Sequence, residues 1–196
     1  MITEPRDGGC RNGVNSGYFP GGKYTYEKTF DLDAATIGKS IELHFEGVYQ
    51  NCRIYVGDRF AGSHRYGYTA FDVDISDFVK AGSNTVRVEV DNSLEPNCRW
   101  YSGSGIYRPV TLVIREKNHI AQVHLETVDI HPARIKVDVQ TTQESEVLVE
   151  VYENKRLVAK GAPGVLEIPD AKLWSAETPF LYKILVKTDT DERVIP

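Results

Sequence analysis

The chain has 196 residues, of which 41% are hydrophobic and 26% charged, a composition typical of globular proteins and unlike that of disordered chains. The length excludes a complete (β/α)8 barrel, which takes about 250 residues. The net charge is −5, from 23 basic and 28 acidic residues. Because no run of lysines and arginines occurs either, we expect no nucleic-acid partner.

The sequence contains no segment of the kind that enters or crosses a membrane. No stretch approaches the roughly 18 apolar residues of a membrane helix, and residues 1–11 have no apolar region like that of a signal peptide. We therefore expect no membrane partner, and the choice between a cytoplasmic and a periplasmic location stays open.

The three cysteines are Cys10, Cys52 and Cys98. Their odd number and wide spacing suit neither a disulfide framework nor a zinc knuckle. We expect all three to be free thiols.

Apolar residues recur with a period of two through the first part of the chain, which predicts short β-strands. The alternating positions fall within residues 24–30, 41–45, 54–56, 71–75, 86–90 and 110–114. The step Gly57-Asp58 predicts a tight hairpin, residues 81–84 a second turn, and residues 77–80 one helical turn. Since no window of 11 to 18 residues shows a helical apolar stripe, the predicted class is all-β.

A polar run at residues 115–119 interrupts this rhythm, and we place a domain boundary there. Residues 1–117 suit a jelly-roll β-sandwich, because their strands are numerous and their loops long. Residues 118–196 resume the alternation with short, closely spaced strands, which is typical of an immunoglobulin-like β-sandwich.

The most unusual segment is the loop of residues 91–108, which lies between two predicted strands. A loop of this length is uncommon in a compact domain unless it is functional or disordered, and its two aromatic residues and Arg99 argue against disorder. Trp100 and Tyr101 offer apolar ring faces, and Arg99 and Asn92 offer directional hydrogen bonds, so the composition suits a sugar. These four residues are the predicted substrate-binding set; the alternative is that the two aromatic rings only pack the loop onto the sheet.

Other patterns that could carry chemistry are weaker. Asp91 and Glu95 are the two carboxylates of the long loop, and a catalytic pair is the less favoured interpretation of them. His64 has no second ligand at metal-binding spacing, and no glycine-rich phosphate loop opens a helix. From its residues alone the chain is therefore a sugar-binding or assembly module more readily than an enzyme.

The segment RWYSGSGIYR at residues 99–108, followed by PVTL, resembles the end of the N-terminal jelly-roll domain of glycoside hydrolase family 2. Further blocks that match in order are residues 17–22 with 26–30, then 45–48, then 56–58 with 61–64, and then 67–75. Residues 173–182, LWSAETPFLY, resemble the last strands of that family's immunoglobulin-like domain. The family includes β-galactosidases, β-glucuronidases and β-mannosidases.

This resemblance implies that the parent enzyme is a retaining exo-glycosidase, with both catalytic glutamates in a (β/α)8 domain beyond residue 196. The family's acid/base glutamate directly follows an asparagine, and this chain contains no Asn-Glu dipeptide. We therefore expect no catalytic residue in the chain and no activity from it alone.

The resemblance also bears on the substrate. Many relatives have an aspartate where this chain has Arg99, and the Arg-Trp-Tyr form is common among bacterial β-galactosidase-like members. The implied partners are a β-galactoside and the enzyme's own barrel, with a β-glucuronidase or β-mannosidase parent as the alternative. Whether the parent is a homo-oligomer stays open.

Members of the family bind Mg²⁺ or Na⁺ near the barrel site, but no ligand set for either ion is recognisable here, so we expect no cofactor in this chain. Two other functions stay open from the residues alone. One is a stand-alone carbohydrate-binding module, and the other is a scaffold or oligomerisation domain.

Overall fold

The structure is a computed structural model that describes residues 6–11, 13–94 and 103–195. Apart from two 3-10 turns, Gly13–Ser16 and Ala34–Thr36, the regular structure of these ranges is β-strand, which confirms the all-β class. None of their helical turns is long and apolar enough to cross a membrane. The chain divides into two compact units, Met1–Ile114 and Arg115–Pro196, and the predicted boundary after residue 117 falls slightly further along.

The first unit is a β-sandwich. Its strands are β1 (Lys23–Leu32), β2 (Ser40–Phe45), β3 (Val48–Tyr49), β4 (Cys52–Val56), β5 (Arg59–His64), β6 (Phe71–Asp74), β7 (Gly82–Asp91), β8 (Gly105–Ile106) and β9 (Val110–Arg115). One sheet has the order β1-β7-β4-β5, a second has the order β6-β2-β9, and β3 pairs with β8 alone. A single buried cluster draws side chains from both larger sheets, as a jelly-roll sandwich requires.

The alternation of apolar and polar residues in the sequence corresponds to an alternation of buried and partly exposed side chains in the strands. In β2 the side chains of Ile41, Leu43 and Phe45 are buried, while those between them are partly exposed. The predicted hairpin is confirmed, because Val56 pairs with Arg59 across a turn in which Gly57 has a φ of 57°.

Two local predictions are wrong. Residues 82–84 belong to β7, where Gly82 pairs with Leu32, and the side-chain amide of Asn84 bonds the backbone of Lys80 just before the strand. Residues 77–80 form no helix; the N–H of Phe78 donates to the carbonyl of Ile75 in an isolated turn.

The second unit is also a β-sandwich. Its strands are β10 (Ile120–Ile130), β11 (Ala133–Thr141), β12 (Leu148–Glu153), β13 (Arg156–Gly161), β14 (Gly164–Glu167), β15 (Lys183–Lys187) and β16 (Glu192–Ile195). The sheets have the orders β10-β11-β14 and β13-β12-β15-β16, and they enclose a separate core that includes Ile120, Val137, Val149 and Val186. Sheets of three and four strands are those of an immunoglobulin-like sandwich.

Candidate functional site

The base of the long loop is built around Asn92, which directly follows β7 and is only 4% exposed. Its Nδ2 donates to Ser104 Oγ at 2.8 Å, and its Oδ1 accepts a hydrogen bond from Gln50 Nε2 at 3.2 Å. Its backbone N–H donates to the carbonyl of Gly22 at 2.8 Å. Because Ser104 directly precedes β8, the bond between Asn92 and Ser104 joins the two ends of the loop.

Asp91, at the end of β7, is held in its charged form. Its Oδ1 accepts hydrogen bonds from the hydroxyl of Ser93 at 2.6 Å and from the N–H of Ser93 at 3.0 Å. Its Oδ2 lies 3.1 Å from Lys23 Nζ. These contacts, those to Ser93 foremost, lower the pKa of Asp91. The carboxylate is therefore ionised at neutral pH and unsuited to donate a proton; Glu95, its partner in a hypothetical catalytic pair, lies outside the described residues.

The residues that follow the loop each fix its return to the sandwich. Gly105 has a φ of 95°, and a Cβ there would lie 2.0 Å from the hydroxyl of Tyr26, so no other residue fits without rearrangement. The N–H of Ile106 donates to that same hydroxyl at 3.2 Å. The hydroxyl of Tyr107 donates to the carbonyl of Gly67 at 2.7 Å.

Beside this return lies an exposed pair of rings, Tyr66 and Tyr68, which we call the tyrosine surface. The two residues are 60% and 57% exposed, and their ring centroids are 5.9 Å apart. The ring of Tyr68 also packs edge-on against Tyr49 at 5.3 Å. Between them, a Cβ at Gly67 would lie 2.1 Å from the Tyr49 ring, so the glycine allows the loop to lie directly on β3.

The predicted substrate-binding residues fall in two groups. Arg99, Trp100 and Tyr101 lie outside the described residues, so their contact with substrate stays a prediction. Asn92 lies at the base of the loop with its amide directed to Gln50 and Ser104, and its direct contact with substrate likewise stays a prediction.

Sequence reasoning missed the partners that fix this region. Gln50 lies 42 positions before Asn92, and Tyr26 lies 80 positions before Ile106, so spacing along the chain gave no sign of either contact. The nearest signal was the aromatic and glycine cluster at residues 64–69, which contains the tyrosine surface.

The histidines of the first unit have structural contacts. His64 ends β5, stacks on Phe71 with centroids 4.2 Å apart, and shares a hydrogen bond of 2.9 Å with Thr69. His44 contacts Asp72 at 2.7 Å. In the described ranges no three His, Cys, Asp or Glu side chains lie together in an arrangement that could hold a metal ion.

Two of the three cysteines are described, and both are free thiols, as predicted. Cys52 is buried in the core of the first unit, and burial raises the pKa of its thiol. The protonated thiol is a poor nucleophile, so this residue packs rather than reacts. Cys98 lies outside the described residues.

Comparison with known protein families identifies the family to which the chain belongs. The family model for the sugar binding domain of glycosyl hydrolases family 2 matches residues 16–116, and a second family 2 model matches residues 109–195. The chain belongs to glycoside hydrolase family 2. The resemblance of the loop and strand motifs to that family is confirmed.

Individual family 2 members extend the comparison. The chain is 34% identical to a putative β-glucuronidase from Formosa agariphila, over 97% of this chain and 20% of the relative. It is 30% identical to a β-galactosidase from Bacteroides ovatus, over 92% of this chain and 24% of the relative. A crystal structure of a family 2 member from Bacteroides cellulosilyticus is 31% identical, with a TM-score of 0.85 over 99% of this chain and 29% of that one. The chain thus spans between a fifth and a third of each of these proteins.

Proposed function

We propose that this chain is the non-catalytic part of a retaining exo-glycosidase that releases terminal β-galactosides. In this proposal the long loop shapes the substrate pocket, and the two sandwiches support a (β/α)8 catalytic domain. The observation that carries it is the match of residues 16–116 to the family 2 sugar binding domain. The names of the relatives, glucuronidase and galactosidase, support glycoside hydrolysis by the whole protein.

The anchored base of the loop supports a role in binding. The buried hydrogen bond between Asn92 and Ser104 joins both loop ends, and a partly buried bond from Gln50 also holds Asn92, so the loop is presented from a fixed base. Binding residues are most effective when the groups around them hold them in place. Arg99 and Trp100 then supply a hydrogen-bonding fork and a ring face for a sugar.

Catalysis in retaining glycosidases needs two carboxyl groups about 5–5.5 Å apart, one of which keeps its proton until it protonates the leaving group. Asp91 is unsuited to be the carboxyl group that keeps its proton, because its hydrogen bonds and Lys23 favour the charged carboxylate. This supports the proposal that the catalytic pair belongs to the barrel.

The substrate can be tested on the longer protein that contains this chain. We expect p-nitrophenyl β-galactoside to be hydrolysed with a higher kcat/KM than the β-glucuronide or β-mannoside, and Arg99→Ala to lower that value about tenfold or more. Arg99→Lys is the matched control, because it keeps the charge but loses the planar fork.

A preference for the β-glucuronide would contradict the proposed β-galactoside substrate. Arg99 could equally pair with the carboxylate of a glucuronide through two parallel hydrogen bonds, and one relative carries the name β-glucuronidase. If the β-glucuronide is the better substrate and Arg99→Ala affects it most, the galactoside assignment is wrong. If no glycoside is hydrolysed, the glycosidase proposal itself fails.

A second candidate, a stand-alone carbohydrate-binding module, is favoured by the tyrosine surface. Exposed aromatic rings bind the apolar faces of sugars, and Tyr66 and Tyr68 are more than half exposed. Calorimetric titration of the chain with galactose and lactose tests it, with Tyr66→Ala expected to abolish binding and Phe60→Ala, at a 50% exposed ring elsewhere, expected to leave it unchanged. Absence of heat at millimolar sugar would rule out the module.

A further inference from the structure

The sandwich of the first unit is closed along one side. There the edge strands β5 and β6 contact each other, and a Cβ at Gly62 of β5 would lie only 3.1 Å from Val73 of β6. The two sheets therefore meet directly on that side.

The opposite side, between the edge strands β1 and β9, is open. A cavity of about 260 Å³ enters the core there, lined mainly by apolar side chains of both sheets, among them Phe30, Phe45, Val88 and Leu112. Protein interiors are close-packed, and apolar space of this size is normally filled by side chains. The cavity thus has room for apolar side chains that the described residues do not supply.

The edge that borders the cavity is that of β9, along residues 110–114. Among the described residues β9 has β2 as its one sheet neighbour, and its Val110 and Ile114 are 41% and 38% exposed. An unpaired strand edge with apolar residues is a template for another strand. The edge of β1 is protected in a different way, because Lys28 of that strand lines the cavity and an inward-pointing charge opposes pairing.

The unequal sizes of the two larger sheets agree with an addition at β9. The described part of this unit has one sheet of four strands and one of three, besides the short β3-β8 pair. A jelly roll has eight strands in two sheets. One strand added beside β9 would give two sheets of four and would lie over the open side of the cavity.

We infer that β9 pairs with an extended segment whose alternate residues are apolar and fill this cavity, and that the segment comes from the same, longer polypeptide. This rests on the proposed function only in placing the chain within a longer protein, as its 20% to 29% coverage of relatives supports. A second copy of the chain is a poorer occupant, because Val110 and Leu112 of its own β9 line its own cavity.

Hydrogen exchange followed by mass spectrometry tests the inference on the 196-residue chain and on the longer polypeptide. We expect the peptide covering residues 110–115 to exchange at least about a hundredfold more slowly in the longer polypeptide. Strand β7, central in its sheet, is the internal control and should be protected in both. Equal exchange of β9 in the two proteins would overturn the inference, as would a dimeric 196-residue chain in which β9 is already protected.

A pair of variants tests the apolar contact itself. Val110 lines the cavity, whereas the adjacent Thr111 is exposed and not among its lining residues. Val110→Lys should lower the Tm of the longer polypeptide by several degrees more than Thr111→Lys, and the two should differ little in the 196-residue chain. Equal effects in the longer polypeptide would refute the inference. Hydrolysis assays are independent of both readouts, so failure of the proposed glycosidase function remains distinguishable.

Discussion

Gly105 shows how one residue fixes where the long loop rejoins the sandwich. Its backbone has a φ of 95°, and the space that a Cβ would need is taken by the hydroxyl of Tyr26. Gly38 has nearly the same φ, 94°, but nothing within 4 Å of its ideal Cβ. Comparing the two positions separates backbone strain from steric conflict.

We expect Gly105→Ala to lower the free energy of unfolding by about 2–4 kcal/mol, from strain and overpacking together. Gly38→Ala should cost about 1–2 kcal/mol, because only strain applies. Urea unfolding measures both. Equal losses would mean that Tyr26 moves aside freely; adding Tyr26→Phe to Gly105→Ala should recover part of the loss, since it removes the nearest atom.

Asp91 gives the first unit a pH-dependent contribution to stability. Its pKa is lowered in the folded state, so the stabilisation is fully present above its ordinary value of 3.8 and is lost as the pH falls through the lower folded value. Asp91→Asn should therefore lower the Tm at pH 7, and the difference from the unmodified chain should shrink progressively below about pH 4.

Ser93→Ala is the matched variant, because the hydroxyl of Ser93 donates the shorter of its two bonds to Asp91. Its effect on Tm should have the same pH dependence as that of Asp91→Asn. A difference that stays constant from pH 7 down to pH 2.5 would assign the effect to packing instead of charge.

At the scale of elements, the bond between Asn92 and Ser104 connects the end of β7 with the start of β8. Asn92→Ala leaves the partly buried Gln50 and the buried Ser104 short of a partner, which should lower the free energy of unfolding by about 1–3 kcal/mol in urea. Asn15→Ala, at an exposed asparagine, should change stability by less than about 0.5 kcal/mol. Because Asn92→Ala already removes the hydrogen bond to Ser104, adding Ser104→Ala should lower the free energy of unfolding by less than Ser104→Ala does alone.

The elements that sequence could predict are those with strong alternation. Strands β2, β4, β7 and β9 were expected because their apolar residues alternate on one face. Strands β3 and β8 have only two residues each, too few for any period, and β16 has only Val194 and Ile195 as apolar residues. The turn at residues 81–84 was misplaced because residues 82–84 pair with β1, about 50 positions earlier in the chain, which local turn propensity does not reveal.

The candidate site was less predictable than the fold. The loop could be found from its length and composition, but the residues that hold it are distant in sequence: Gln50 from Asn92, Tyr26 from Ile106 and Gly67 from Tyr107. Such contacts follow from strand order, which local periodicity does not determine.

At the scale of the whole molecule, we propose that this chain takes part in substrate binding and that a separate domain carries out catalysis. We expect the 196-residue chain to show no hydrolysis of p-nitrophenyl β-galactoside, β-glucuronide or β-mannoside above the rate in buffer. The longer protein assayed in parallel is the positive control. Measurable turnover by the 196-residue chain that Asp91→Asn abolishes would place a catalytic carboxylate within it and contradict the division of roles.

The hydrogen bond from Asn92 to Ser104 also bears on how substrate preference could change in this family. The two residues are twelve positions apart, and together they close the intervening segment at its base. Residues inside that closure can be exchanged or inserted without altering the strands on either side, since extra loop length adds little entropic cost. Under the proposed function, in which this loop shapes the substrate pocket, we expect changes confined to residues 94–102 to shift specificity with little effect on the strands.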